Sequence, residues 1–476
     1  MKLCLYALVA AVALIVIAPA GGGIASADVP PPEQPGPYKI GFTTFPSTLG
    51  DNLPTTITVW YPHCAVGNAD CSSHPPGMPT YPLMTFALPN PQVVVGSPLG
   101  AVEDASVQQG SFPLIVWSHG GPAFTRTRAR QRLDNFKLME HLASHGFIVA
   151  SYERNNAGLC SNELAGPRDV ITRLLDRNAT TGDLFEGRID PDKIGAMALS
   201  AGGLAGYSLL TGADPGPSLP LGLPPDARVK ALVVTEANHE GCGITLARKQ
   251  SVTKPYMVIG GSPEFYESLA LQPFNEMVNA TPRILVKTIT KANNPNLNAE
   301  HLSYAAGECD LTDAIREGSL RLQQTSGQDP LVEPLTTAFP SDPSIVDDGA
   351  RVLAAEARAF WNNAVRLFIR QKTFCNRVGT DPNGILPIGV PSSDGLVTSI
   401  PPFEPSPLVN SDPPFTACSP VRCISDERMT RMLKLFTTAF WKAHLQGDQR
   451  YSQFLTRGYS NREAEAIITR DETATE

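Results

Sequence analysis

Residues Ile194-Gly195-Ala196-Met197-Ala198-Leu199-Ser200-Ala201-Gly202-Gly203 run from a continuous apolar segment into a pair of glycines. An unbroken small and apolar run of this length fits a strand buried on both faces of a parallel sheet. The glycines open a helix-length segment, so Ser200 falls on the turn between strand and helix. Such a turn is tight, and only small side chains fit two positions either side of the serine. Ala198 and Gly202 occupy those positions, and Ala198 carries one methyl group more than the glycine usual there.

Working outward, the same apolar pattern recurs. Pro113-Leu114-Ile115-Val116-Trp117 and Phe147-Ile148-Val149-Ala150 precede the Ser200 stretch. Val229–Val234, Tyr256–Ile259 and Ile284–Ile289 follow it. Helix-length segments, such as Arg130–Ser144, separate most of these runs. Strands alternating with helices predict βαβ units and a doubly wound, mostly parallel sheet with helices on both faces. Tyr38–Phe42 and Thr55–Tyr61 read as the first strands, and Pro62 to Gly110 as loop. Ligands of such sheets bind beyond the carboxyl ends of the strands.

Five segments are expected. Residues 1–27 read as an export signal: Lys2, an apolar run from Leu3 to Ile17, and Ala25-Ser26-Ala27 before Asp28. Residues 28–37 are a Pro-rich leading segment, and 38–311 the core. Residues 312–424 are a C-terminal cap-like insertion with one helix, Asp348–Gln371, and a Pro/Ser-rich loop. The reading leaves open whether this insertion is a lid or a surface decoration. Residues 425–476 hold a final amphipathic helix, Asp426–Leu445, and a polar tail.

The chain has 476 residues, 42% of them hydrophobic, and a formal net charge of -8. The acidic balance argues against a nucleic-acid partner, which would need a basic face. No segment after the signal has the twenty or so apolar residues of a spanning helix, so no stable membrane insertion is expected once it is removed. Of the 9 cysteines, Cys4 lies in the signal. The even remainder in an exported chain predicts disulfides. Cys64/Cys71 and Cys418/Cys423 are close enough to close small loops, while the pairing of Cys160, Cys242, Cys309 and Cys375 stays open. No CxxC pair or histidine spacing predicts a metal, and no cofactor is expected.

The chemistry centres on Ser200. Its surroundings match the nucleophile elbow G-x-S-x-G with alanine for the first glycine. Trp117-Ser118-His119-Gly120-Gly121 ends an earlier buried strand. The backbone N–H of Gly121 and that of Ala201 are the candidate oxyanion-hole donors. His119 is expected to brace this loop by hydrogen bonding. The general base must follow the last core strand, and His301 does so; His239 comes too early, and His444 falls in the final helix. Glu236 follows the Val229–Val234 strand and Glu264 the Tyr256–Ile259 strand. Each is a candidate acid for orienting the imidazole, and the residues alone do not separate them. The cluster Arg126, Arg128, Arg130 and Arg132 reads either as an anion-attracting patch or as a solvated helix start.

These motifs resemble the platelet-activating factor acetylhydrolase branch of the α/β-hydrolase fold, near the dienelactone-hydrolase-like esterases. The resemblance rests on Trp60-Tyr61-Pro62, Ser118-His119-Gly120, Leu142-Ala143-Ser144-His145-Gly146-Phe147-Ile148-Val149-Ala150, Ser200-Ala201-Gly202-Gly203 and His301-Leu302-Ser303-Tyr304, with Ala439-Phe440-Trp441 near the end. It implies a serine carboxylesterase or lipase-like hydrolase acting on short-chain acyl or phospholipid-type esters. It also implies Glu236 as the acid, standing where that branch usually has aspartate. Two other readings are a non-catalytic binding module on the same fold, and a peptidase or polyester depolymerase using the same triad.

Overall fold

The computed structural model describes residues 29–49, 53–67, 80–82, 94–120, 132–133, 135–153, 160–214, 222–261, 266–288, 426–460 and 466–471. His301, Glu264, Gly121, the apolar run 3–17, Arg126, Arg128, Arg130 and the insertion 312–424 lie outside these residues. The strands are β1 (Tyr38–Leu49), β2 (Leu53–Ala65), β3 (Thr80–Pro82), β4 (Val94–Gly96), β5 (Val102–Glu103), β6 (Phe112–Ser118), β7 (Ile148–Tyr152), β8 (Ile189–Leu199), β9 (Val229–Thr235), β10 (Tyr256–Gly260), β11 (Arg283–Thr288) and β12 (Ala466–Asp471). The helices that matter to the site are α1 (Phe136–Ser144), α2 (Cys160–Ala179), α3 (Gly203–Thr211), α4 (Leu246–Gln250), α5 (Gln272–Glu276) and α6 (Asp426–His444).

One sheet of 10 strands carries the order β12-β11-β10-β9-β8-β6-β7-β2-β1-β5. From β7 through β11 every pairing is parallel. β2 pairs antiparallel with both β1 and β7, and β12 pairs antiparallel with β11. A mostly parallel sheet with crossover helices, and a serine turn after its central strand, is the α/β-hydrolase fold.

Each buried run found in the sequence is a strand, because its residues meet helices above and below. On one face of β8, Ala196 and Ala198 join a core with Leu164 and Ile171 of α2 and Tyr207 and Leu210 of α3. On the other, Gly195 lies beneath Trp441 of α6 and Leu445. Trp441 is fully buried, and truncating such a side chain to alanine typically costs about 3–5 kcal/mol.

Two stretches differ from the sequence reading. The segment from Pro62 to Gly110 is not all loop. β2 runs through Pro62 to Ala65, and the register shifts between Lys39 and Ile40 opposite it. Lys39 pairs with Cys64 and Ile40 with Pro62, so His63 is an extra residue in β2, a bulge beside a proline that has no N–H for the ladder. The short strands β3, β4 and β5 follow. The tail is not purely polar either: β12 adds an edge strand, with Ile468 buried.

The run Leu142–Ala150 is buried throughout, and its Ser144 and His145, with His141 just before it, hold the leading segment. The His141 Nε2–H donates to the Pro32 carbonyl at 2.7 Å, and the His145 Nε2–H to that of Gln34 at 2.7 Å. The Gly36 N–H donates to Ser144 Oγ at 2.8 Å. Burial, the neighbouring His145 and Lys434 hold His141 well below the ordinary histidine range. Burial and Lys442 push His145 down to about 4. Both rings are therefore neutral in the fold while the unfolded chain takes up protons below the ordinary value of 6.5. Stability should rise with pH wherever the unfolded state binds more protons. Denaturant midpoints are accordingly expected to fall as pH drops from about 6.5 towards 4. His141→Asn together with His145→Asn should flatten that slope.

Candidate active site

The registers bring four strand ends side by side. Ser118 pairs with Ala198, Leu199 with Thr235, and Thr235 with Ile259. The residues just beyond are therefore His119-Gly120, Ser200, Glu236 and Gly260-Gly261. All sit at the carboxyl edge, where open α/β sheets bind ligands.

Ser200 has φ 50°, left-handed backbone on a non-glycine residue. Such conformations are costly for a non-glycine residue and persist only where the surroundings impose them. Here the surroundings are backbone. The Ser200 N–H donates to the Glu236 carbonyl at 3.1 Å, and the Asn238 N–H donates back to the Ser200 carbonyl at 2.7 Å. Glu236 is also left-handed, at φ 36°, and its N–H donates to the Ile259 carbonyl at 3.0 Å. Each of the two turns is thus held by its neighbours. Ser200 is nine-tenths buried and Glu236 wholly so.

The small residues around the serine have identifiable jobs. A Cβ on Gly202 would lie 2.2 Å from the Ser118 carbonyl oxygen, so the second elbow position admits no side chain. Ala198 is accommodated from the far side: a Cβ on Gly206 of α3 would lie 2.7 Å from Ala198 Cβ. The methyl group that departs from the motif thus fills the space left by a glycine one turn into the helix. The oxyanion-loop candidate also approaches closely, since a Cβ on Gly120 would stand 3.1 Å from Ser200 Cβ. His119 braces that loop as expected: its Nδ1–H donates to the Gly120 carbonyl at 2.7 Å.

The Glu236 carboxylate is held at the end of β10. Its Oε1 accepts the Gly261 N–H at 2.7 Å. Its stem passes over Gly260, where a Cβ would come within 2.9 Å of Glu236 Cγ. Of the site residues expected from sequence, Ser200, Ala201 and Glu236 lie together here. Whether His301, Gly121 and Glu264 join them falls outside the described residues. Arg132, the last of the arginine cluster, makes a 2.7 Å ion pair with Glu153 and donates to Thr58 Oγ1.

Two features were not legible in the sequence. Cys160 and Cys242 form a disulfide, tying the loop after Glu236 to the start of α2 across 82 residues. On chain entropy a crosslink over a loop of this length is worth about 4.5 kcal/mol. Cys64 is also disulfide-bonded. The second feature is a polar cluster beside the acid loop, built on the buried His239 and Lys249. His239, Glu240 and Glu276 place potential ligand atoms within 4.8 Å of one another. The ammonium of Lys249 enters this cluster. It donates to His239 Nδ1 at 2.7 Å and pairs with the Glu276 carboxylate. The positive charge a metal would bring is supplied by the chain itself.

No family profile and no curated protein sequence match this chain. Among solved structures, a ferulic acid esterase from Streptomyces cinnamoneus is similar to it. The identity is 17%, with 91% of this chain and 96% of that chain covered and a TM-score of 0.41. The fold assignment rests on strand order and elbow geometry.

The Ala198–Gly206 contact gives a stability test. Gly206→Ala is expected to destabilise by about 1–3 kcal/mol through overpacking, although alanine is the better helix former. Adding Ala198→Gly should recover most of that loss. A double-mutant cycle by urea unfolding should return a coupling of at least about 1 kcal/mol.

Proposed function

We propose that the chain is an exported carboxylic ester hydrolase working through a Ser200–His301–Glu236 triad and an acyl-enzyme. The observation that carries this reading is the strained Ser200 turn, locked to the Glu236 segment by reciprocal backbone hydrogen bonds. A serine held this way at the carboxyl edge of a central strand is positioned for attack rather than for packing. Chain order adds to it, since His301 follows β11 as the base of this fold must.

In the reaction, His301 takes the Ser200 hydroxyl proton as Oγ attacks the ester carbonyl carbon. The carbonyl π bond opens to an oxyanion facing the N–H groups of Ala201 and Gly121. Collapse expels the alcohol, which leaves with the proton from His301. Water then attacks the acyl-enzyme with His301 again as base, releasing the acid and restoring Ser200. Glu236 orients the imidazole and stabilises its cation. Glu264 is the alternative acid.

Short-chain acyl or phospholipid-type esters are the substrate class implied by the motif resemblance. Export is supported by the leading apolar run with its A-x-A site and by the Cys160–Cys242 disulfide. No described helix is long and apolar enough to cross a membrane.

Ser200→Ala should lower hydrolysis of p-nitrophenyl acetate by about four orders of magnitude or more, with the circular dichroism spectrum unchanged. Glu236→Gln should lower kcat by about two to four orders of magnitude, and Glu264→Gln by less than about twofold. A large loss in Glu264→Gln alone would move the acid to that residue. A fluorophosphonate probe that leaves folded wild-type protein unlabelled would favour a non-catalytic binding module. Profiling on peptide and polyester substrates separates the peptidase and depolymerase readings.

A further inference from the structure

The cluster beside the acid loop joins three elements that otherwise meet only through their surfaces. His239 comes from the loop after β9, Lys249 from α4 and Glu276 from α5. His239 and Lys249 are buried, with side-chain exposures of 2% and 3%, while Glu276 keeps 19%. The ammonium of Lys249 donates to His239 Nδ1. An imidazole nitrogen that accepts from an ammonium carries no proton of its own, so the ring proton sits on Nε2. That Nε2–H donates to the Ser268 carbonyl at 2.8 Å. The lysine therefore selects one tautomer, and the tautomer ties the loop to the helical segment after β10.

The loop so tied carries the proposed acid. Glu236 lies three residues before His239 and Asn238 one before it. The Asn238 N–H is the donor to the Ser200 carbonyl, and its backbone packs on the start of α3, where a Cβ on Gly203 would lie 2.2 Å from the Asn238 carbonyl oxygen. A displacement of His239 is thus passed on through Asn238 to both turns of the site.

We propose that Lys249 is a positioning residue for the reaction, clamping the Glu236 loop against the Ser200 elbow through the neutral Nε2–H tautomer of His239. The inference rests on the ester-hydrolase reading above and names a residue that touches neither substrate nor the reacting atoms.

The charges around the His239 ring give this role a signature. Burial and Lys249 hold His239 below its ordinary value, against the Ser268 carbonyl, Glu276 and Glu240, which act the other way. The Tyr207 ring lies 6.0 Å away and its hydroxyl is bonded to Tyr256 rather than to His239. Burial would raise Glu276, but its hydrogen bonds from Lys249 and Gln272 outweigh this and keep it ionised. With Lys249 replaced by methionine, the opposing cation is gone. Glu276 Oε2 is already 3.2 Å from His239 Nδ1. A proton on Nδ1 would bond to it directly, with Nε2–H still on the Ser268 carbonyl. Solvent reaches Glu276 through a pocket of about 440 Å³ bordered also by Leu246, Leu271 and Gln272. Acid should therefore rebuild the clamp in the variant, though not in the wild type.

The test measures kcat and KM for p-nitrophenyl acetate from pH 5.5 to 8.5 in wild type and Lys249→Met. At pH 8.5 the variant is expected to lose about tenfold or more in kcat, the scale of a small misplacement at a reacting centre, with KM within about twofold. The ratio of variant to wild-type kcat should climb at least about threefold as pH falls to 5.5. Taking the ratio cancels titration of the catalytic base. An unchanged kcat, or a loss independent of pH, overturns the proposal. Should Lys249→Met not fold, Glu276→Gln replaces it: kcat should fall about threefold at constant KM, and an unchanged kcat overturns the clamp. Fluorophosphonate labelling separates the two layers. Wild type labelled at Ser200, with Lys249→Met labelled equally fast at pH 8.5, overturns the positioning role alone. Unlabelled wild type overturns the hydrolase reading and this inference with it.

Discussion

Two peptide hydrogen bonds cross between the ends of β8 and β9, from Ser200 to Glu236 and from Asn238 back to Ser200. They hold both residues in left-handed backbone that neither would adopt alone. The rest of the molecule is arranged around that crossing. Parallel registers from β6 to β10 place the four strand ends level. The helices on either face keep those strands dry and fixed. A slip of one residue in β9 would turn the Glu236 carboxylate to the opposite face of the sheet.

Close packing explains the departures from a glycine-flanked serine. Two residues before Ser200, the strand carries a methyl group on Ala198 because Gly206 in the next helix leaves room for it. The space is conserved in volume although its owner has changed sides. Gly260 plays a similar part for the Glu236 stem. These exchanges are local, and they let an imperfect motif form an ordinary elbow.

The run Leu142–Ala150 has two layers of meaning. As a sequence it is a mostly apolar run leading into β7. As structure, its Ser144 and His145, with His141 just before it, fasten the leading segment through Gly36, Gln34 and Pro32. The motif therefore speaks to how the fold is finished at its amino end.

Periodicity and turn chemistry were enough to determine much of this protein. Continuous apolar runs separated by helix-length segments specify a parallel sheet, because only burial on both faces tolerates them. Gly202-Gly203 after Leu199-Ser200 marks the elbow, because a tight turn excludes side chains. Those are local constraints, written in neighbouring residues. That Glu236 lies beside the Ser200 turn, that Cys242 meets Cys160, and that Lys249 reaches His239 and Glu276 are long-range facts. They depend on crossover lengths, strand order and register, which bring residues 200, 236 and 260 level at one sheet edge. The tertiary structure decided them, because side chains far apart in sequence acquire a distance only once the strands are assembled in register.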